Sequence, residues 1–128
     1  MNEKFRTPIK IARGLGSAQH GVHHFLVQRI TAIGLAVLCI WFVWLVLKLM
    51  HADYRTAHAL IAEPLNAVLM LAFIVALFWH TQLGLQVIVE DYVHTRWLEM
   101  TSQITIKLLC FLAGAASALA VIRIALGS

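Results

Sequence analysis

LNAVLMLAFIVALFWHTQLGLQVIVEDYVH, residues 65–94, decides how the rest of the chain reads. From Leu65 to Val89 it runs twenty-five residues without an Asp, Glu, Lys or Arg. That is enough for an α-helix to cross a bilayer with some tilt. One titratable imidazole, His80, lies inside the run. A polar ring in hydrocarbon is costly, so an intramembrane histidine is a functional candidate by default. Eleven helical steps later come Asp91 and, beside it, Tyr92. Eleven steps return Asp91 to within about 20° of the same face, roughly 16 Å along the axis. His80, Gly84, Val87 and Asp91 thus form one stripe, which Ala76 and Phe73 continue deeper. Ala76 and Gly84, four residues to either side of the imidazole, leave room for a flat ligand or a second helix.

Composition supports a membrane setting. Of 128 residues, 61% are hydrophobic and 12% charged, with a mean hydropathy of +0.82; soluble domains carry about a quarter charged residues. Three apolar runs account for the excess, which predicts an all-α membrane protein of three transmembrane helices forming one domain. The net charge of +4 does not signal nucleic acid. Most of the surplus flanks the first apolar run, where a positive-inside rule explains it. Cys39 and Cys110 fall in different apolar runs and read as small packing residues, not as a disulfide or metal framework.

Taken in order, residues 1–29 form a basic flank and interfacial segment. Lys4, Arg6, Lys10 and Arg13 face a single Glu3. The polar stretch SAQHGVHHF follows where a cleaved signal peptide needs its apolar core. Pro8 and the Gly14/Gly16 pair interrupt the amphipathic helix of a mitochondrial presequence, which leaves a cytoplasmic flank as the preferred reading. Residues 17–29 either approach the membrane at a shallow angle or form the first helical turns. His20, His23 and His24 share a helical spacing but have no Cys or carboxylate among them, so contacts at the interface or to an anionic group are preferred to a metal. The first span covers 30–48, bracketed by Arg29 and Lys48, with Trp41 and Trp44 in its outer half. Arg29 reads either as a snorkelling boundary residue or as an inward cation paired with a buried anion. A mixed loop spans 51–63, and Pro64 suits the first turn of the second span, 64–90. Residues 94–103 read as a polar connection to the third span, 104–123, whose Gly114–Ala118 patch suits helix packing. Five basic residues precede the first span, against Arg55 with Asp53 and Glu63 in the loop after it. This predicts the N-terminus in the cytoplasm and the C-terminus outside.

Two chemistries fit these residues. A haem takes axial imidazoles, and His80 supplies one, so a second must come from another chain. A quinone needs a donor to its carbonyl and a proton source, and Tyr92 with Asp91 offers both kinds of group. Spacing alone leaves a third reading open, in which His80 bonds a neighbouring helix and Asp91–Tyr92 simply ends its own.

The stretch GLGSAQHGVHHFLVQRITAI, residues 14–33, followed by His80-x3-Gly84-x6-Asp91-Tyr92, resembles the D-type hydrophobic membrane-anchor subunits of succinate dehydrogenase, respiratory complex II. The resemblance covers the first two spans closely, while the third matches only as a hydrophobic helix. The C-type cytochrome subunit fits less well, because its SPH…HR entry and RHL motif are missing. The resemblance implies a non-catalytic subunit, part of a larger heteromeric helical bundle in the bacterial inner membrane or, alternatively, the mitochondrial one. It implies that His80 is an axial ligand to the iron of haem b, shared with the C-type subunit. Asp91 and Tyr92 would belong to the ubiquinone site, and His23 and Arg29 would lie near the haem propionates and quinone pocket. Implied partners are the C-type subunit, the iron–sulfur and flavoprotein subunits, and the lipid bilayer, within electron transport and the tricarboxylic acid cycle. A fumarate reductase anchor and a three-helix anchor without haem remain the rival expectations.

Overall fold

The computed structural model describes residues 18–127. Four helices account for nearly all of them: α1 (Ala18–Leu49), α2 (Tyr54–Ala62), α3 (Pro64–Tyr92) and α4 (Arg96–Ala125). Three of these, from 29 to 30 residues over their apolar lengths, are long and apolar enough to cross a membrane. The chain is an all-α membrane protein. The expectations placed on Lys4, Arg6, Lys10 and Arg13, and on the His20 side chain, fall outside the described residues.

α1 settles the open reading of residues 17–29: from Ala18 onward they are its first turns. Apolar residues without a proline carry the helix through, and in hydrocarbon a continuous helix is how a backbone satisfies its own polar groups. Thr31 turns its hydroxyl back on the helix, donating to the carbonyls of Val27 and Gln28 at 2.8 and 3.0 Å. Near the far end, the Lys48 ammonium sits 3.9 Å from the Trp44 ring centroid, a cation–π contact that shields the charge at an apolar boundary.

Two boundaries differ from the sequence reading. The mixed segment 51–63 contains α2, started by Asp53, whose carboxylate accepts from the Thr56 amide at 3.2 Å. That is an N-cap, the device that satisfies an otherwise orphan donor. Hydrogen bonding from Thr56, its side chain first and its amide second, holds the Asp53 carboxyl below its ordinary pKa. The segment 94–103, expected as a connection, is mostly helix: α4 starts at Arg96, and Glu99 lies in its first turn, where a carboxylate suits the helix dipole. Pro64 opens α3 as expected. A single residue, Glu63, separates α2 from α3, and Asn66 locks the corner. Its amide donates to the Leu60 carbonyl at 2.9 Å and to Glu63 Oε2 at 3.0 Å. Asn66 is 5% exposed, and its buried amide nitrogen is used to close a helix end.

α3 is the central element. It packs most extensively on α4 and next on α1, while the short α2 lies against α3 and α4. The α3–α4 seam is built on Ala67, Ile74 and Val121, with Met70, Leu71 and Phe78 packed around them. Gly114 lets Phe78 approach, its would-be Cβ lying 3.5 Å from the Phe78 ring. The expected packing role of the small patch is met there. On the other flank, Phe42 and Phe73 stack at 4.6 Å between centroids, 13° from parallel, beside the fully buried Leu45. Outward faces stay apolar: Ile40 is 75% and Phe111 72% exposed. Such surface suits lipid or other helices, not water. Cys39 and Cys110 are free, half-buried and on different helices.

Candidate functional site

Phe25, Gln28, Arg29 and Ala32 follow the i, i+3, i+4, i+7 rule and so occupy one face of α1. Together with His80 of α3 they line an open cleft of about 240 Å³. Arg29 is three turns inside α1, not at its start. Its guanidinium lies 5.0 Å from the Phe25 ring centroid, a contact that steers a long flexible cation along its own helix. The cleft therefore offers a cationic fork with five donors, a side-chain amide and an imidazole. That set suits a ligand with an anionic edge, since guanidinium recognises carboxylates in bidentate fashion.

His80 is half-buried. Its Nδ1 is enclosed yet has no hydrogen-bond partner, the one such buried side-chain atom among the described residues. A buried polar atom without a partner calls for an explanation. A neighbouring cleft of about 460 Å³ opens one turn deeper, lined by Thr31, Ala72, Ala76 and Trp79 among others. On the opposite side of the imidazole, a Cβ added to Gly84 meets nothing within 4 Å. The small residues that flank His80 in sequence thus border open space.

The other expected site residues lie apart from this cleft. His23 is exposed and sits roughly 160° around α1 from the cleft-lining face. Asp91 and Tyr92 are the last residues of α3, and Tyr92 is 79% exposed. Glu90 is engaged with Gln86, whose amide donates to it at 2.9 Å, which leaves Asp91 and Tyr92 projecting from the helix end. The structure joins His80 to Arg29 and keeps the Asp91–Tyr92 pair at the rim, about three turns along α3. Phe25, Gln28 and Ala32 were missed by sequence reasoning. Their spacing around Arg29 was a usable signal, but its meaning depends on which α1 residues come level with His80.

Could these residues hold a haem? His80 provides one imidazole nitrogen donor, and Arg29 and Gln28 provide donors for carboxylate groups. At about 240 Å³ the cleft falls below the usual range of small-molecule pockets, about 300–1,000 Å³. The residues fit the group on one side only, and further walls must come from outside this chain.

Comparison with known proteins agrees over nearly the whole length. A family model for succinate dehydrogenase/fumarate reductase transmembrane subunits matches residues 3–122. A succinate dehydrogenase hydrophobic membrane anchor subunit from Rickettsia bellii (strain RML369-C) is 35% identical over 112 residues, covering 88% of this chain and 90% of its own. The same subunit of Rickettsia conorii (strain ATCC VR-613 / Malish 7) is 34% identical over 107 residues, 83% and 85% of the two chains. That of Paracoccus denitrificans is 28% identical over 89 residues, 70% and 69%. No solved structure matches.

Proposed function

Because this chain belongs to the succinate dehydrogenase/fumarate reductase transmembrane subunit family, among its hydrophobic membrane anchors, we propose that it holds the soluble flavoprotein and iron–sulfur subunits at a bacterial inner membrane. In this reading it also contributes half of a haem b site and part of a ubiquinone site. The observation that carries the proposal is the shared cleft of His80 and Arg29. It brings an imidazole and a guanidinium from two helices around one space, which supports the reading.

A bound haem supplies one-electron storage between donor clusters and acceptor. His80 would ligate its iron, and a C-type cytochrome subunit would supply the other protein ligand. Arg29 and Gln28 would bind propionate, with Phe25 keeping the guanidinium in register. His23, on the far side of α1, stays in this reading as part of the wider haem and quinone vicinity and does not share the cleft. At the rim, the Tyr92 hydroxyl donates to a quinone carbonyl, and Asp91 holds a proton for the reduced product. Succinate oxidation itself belongs to the soluble partners.

A dithionite-reduced spectrum of the purified complex tests the reading. A b-type band is expected, and its absence favours a purely structural anchor. Reconstitution with ubiquinone against menaquinone separates a succinate-oxidising complex from a fumarate-reducing one, with faster turnover on ubiquinone expected.

A further inference from the structure

The unpartnered nitrogen of His80 has a consequence for any metal the ring holds. Nδ1 is enclosed by this chain's own atoms, so no lipid, partner helix or cofactor reaches it while the ring keeps this position. No atom of the described residues hydrogen-bonds to it. Histidines that bind metals usually donate their second N–H to a carbonyl, carboxylate or water, which makes the ligating nitrogen more basic. Resting on the haem reading above, we propose that His80 is an unassisted ligand. It binds iron through Nε2 while Nδ1 keeps its proton without an acceptor, and the haem is thereby poised at a raised midpoint potential. The reasoning is electrostatic. A hydrogen bond from Nδ1–H pushes electron density toward the metal and favours the ferric state. Without that bond, the neutral imidazole is a weaker donor and the ferrous state gains. Hydrogen bonding behind an axial ligand is one of the levers by which a protein sets haem potential.

The experiment adds the missing acceptor. Side chains on a helix lean toward its N-terminus, so the His80 ring overlies the turn that contains Ala76. Ala76 is half-buried and borders the 460 Å³ cleft, where one extra oxygen fits. Ala76→Ser supplies an acceptor there, and Ala76→Cys supplies similar bulk with a poor one. Equilibrium redox titration of each assembled complex, followed at the b-type band, reads the outcome. The serine variant should favour the ferric form by on the order of tenfold, which for one electron is a fall of about 59 mV in midpoint, while the cysteine variant stays near wild type. Equal midpoints in all three, with the band intact, overturn the inference and leave haem ligation standing. A wild-type complex without a b-type band overturns both. If the serine variant does not assemble, redox-difference infrared spectra of the wild-type complex with ¹⁵N-labelled histidine decide the matter. Ring modes of a free Nδ1–H support the inference, and modes of a hydrogen-bonded one overturn it.

Discussion

If His80 ligates a haem as proposed, its half-buried ring must sit among helices and still leave one nitrogen for the iron. Replacing His80 with Leu keeps the apolar span, so the variant should insert and assemble while losing or strongly altering the b-type spectrum. A wild-type spectrum would remove the ligand assignment. Gly84 gives a sharper test of what approaches from outside. Nothing among the described residues comes within 4 Å of its added Cβ, so Gly84→Ala should leave the isolated fold undisturbed. Loss of haem in that variant, with the helices intact, marks the space beside Gly84 as occupied by cofactor or partner. Tyr92→Phe removes one hydroxyl and almost no volume. An unpaired acceptor costs about 1–3 kcal/mol, so ubiquinone reduction should fall roughly 5- to 150-fold, while reduction of an artificial acceptor by the soluble subunits is unchanged. Asp91→Asn keeps the shape and removes the proton, and should slow turnover more than it weakens quinone binding. His80 and Asp91–Tyr92 were legible as candidates because charge-free hydrocarbon runs make any titratable group conspicuous. The enclosure of Nδ1 was not, because it depends on a rotamer and on a neighbouring helix.

Among the elements, the long helices were visible as uninterrupted apolar runs, but their ends were not. Arg96, Trp97 and Glu99 read as a polar connection, although a carboxylate in the first turn, here Glu99, is stabilised by the helix dipole. α2 was missed because its nine residues were read as part of a mixed loop, although the segment is amphipathic and is started by the Asp53 cap over Thr56. The Asp53 carboxyl titrates below its ordinary value in the folded chain. Its contribution to α2 is therefore fully present above the unfolded pKa and is lost only as pH falls through the depressed one. The protection factor of the Thr56 amide against hydrogen exchange should hold at neutral pH and fall in that acid window, whereas Asp53→Ala should lower it throughout. Asn66→Leu tests the corner between α2 and α3. It leaves the Leu60 carbonyl without its donor, at a cost of about 1–3 kcal/mol, and should loosen α2 without disturbing the His80 cleft. Protease sensitivity near Glu63 reads the first effect and the b-type band the second.

As a whole, the molecule exposes most of its large apolar side chains, and its few buried ones lie along the two seams of α3. Stripped of lipid and partners it should aggregate unless detergent covers α1 and α4. In the membrane, a reporter after Ser128 is expected to read as periplasmic and one near Trp97 as cytoplasmic. The reverse result would put Asp91 and Tyr92 on the wrong side for a cytoplasmic iron–sulfur subunit. The packing of α1 on one flank of α3 and of α4 on the other also bears on the order of synthesis. Among the described residues, those lining the His80 cleft all belong to α1 or α3, so these walls of the cleft exist before the last thirty-odd residues leave the ribosome. Maturation can then proceed from the amino end, with α4 closing the opposite flank after the His80 cleft already exists. A chain stopped after Thr95 and expressed with its partner subunits should still give the b-type band, at reduced yield.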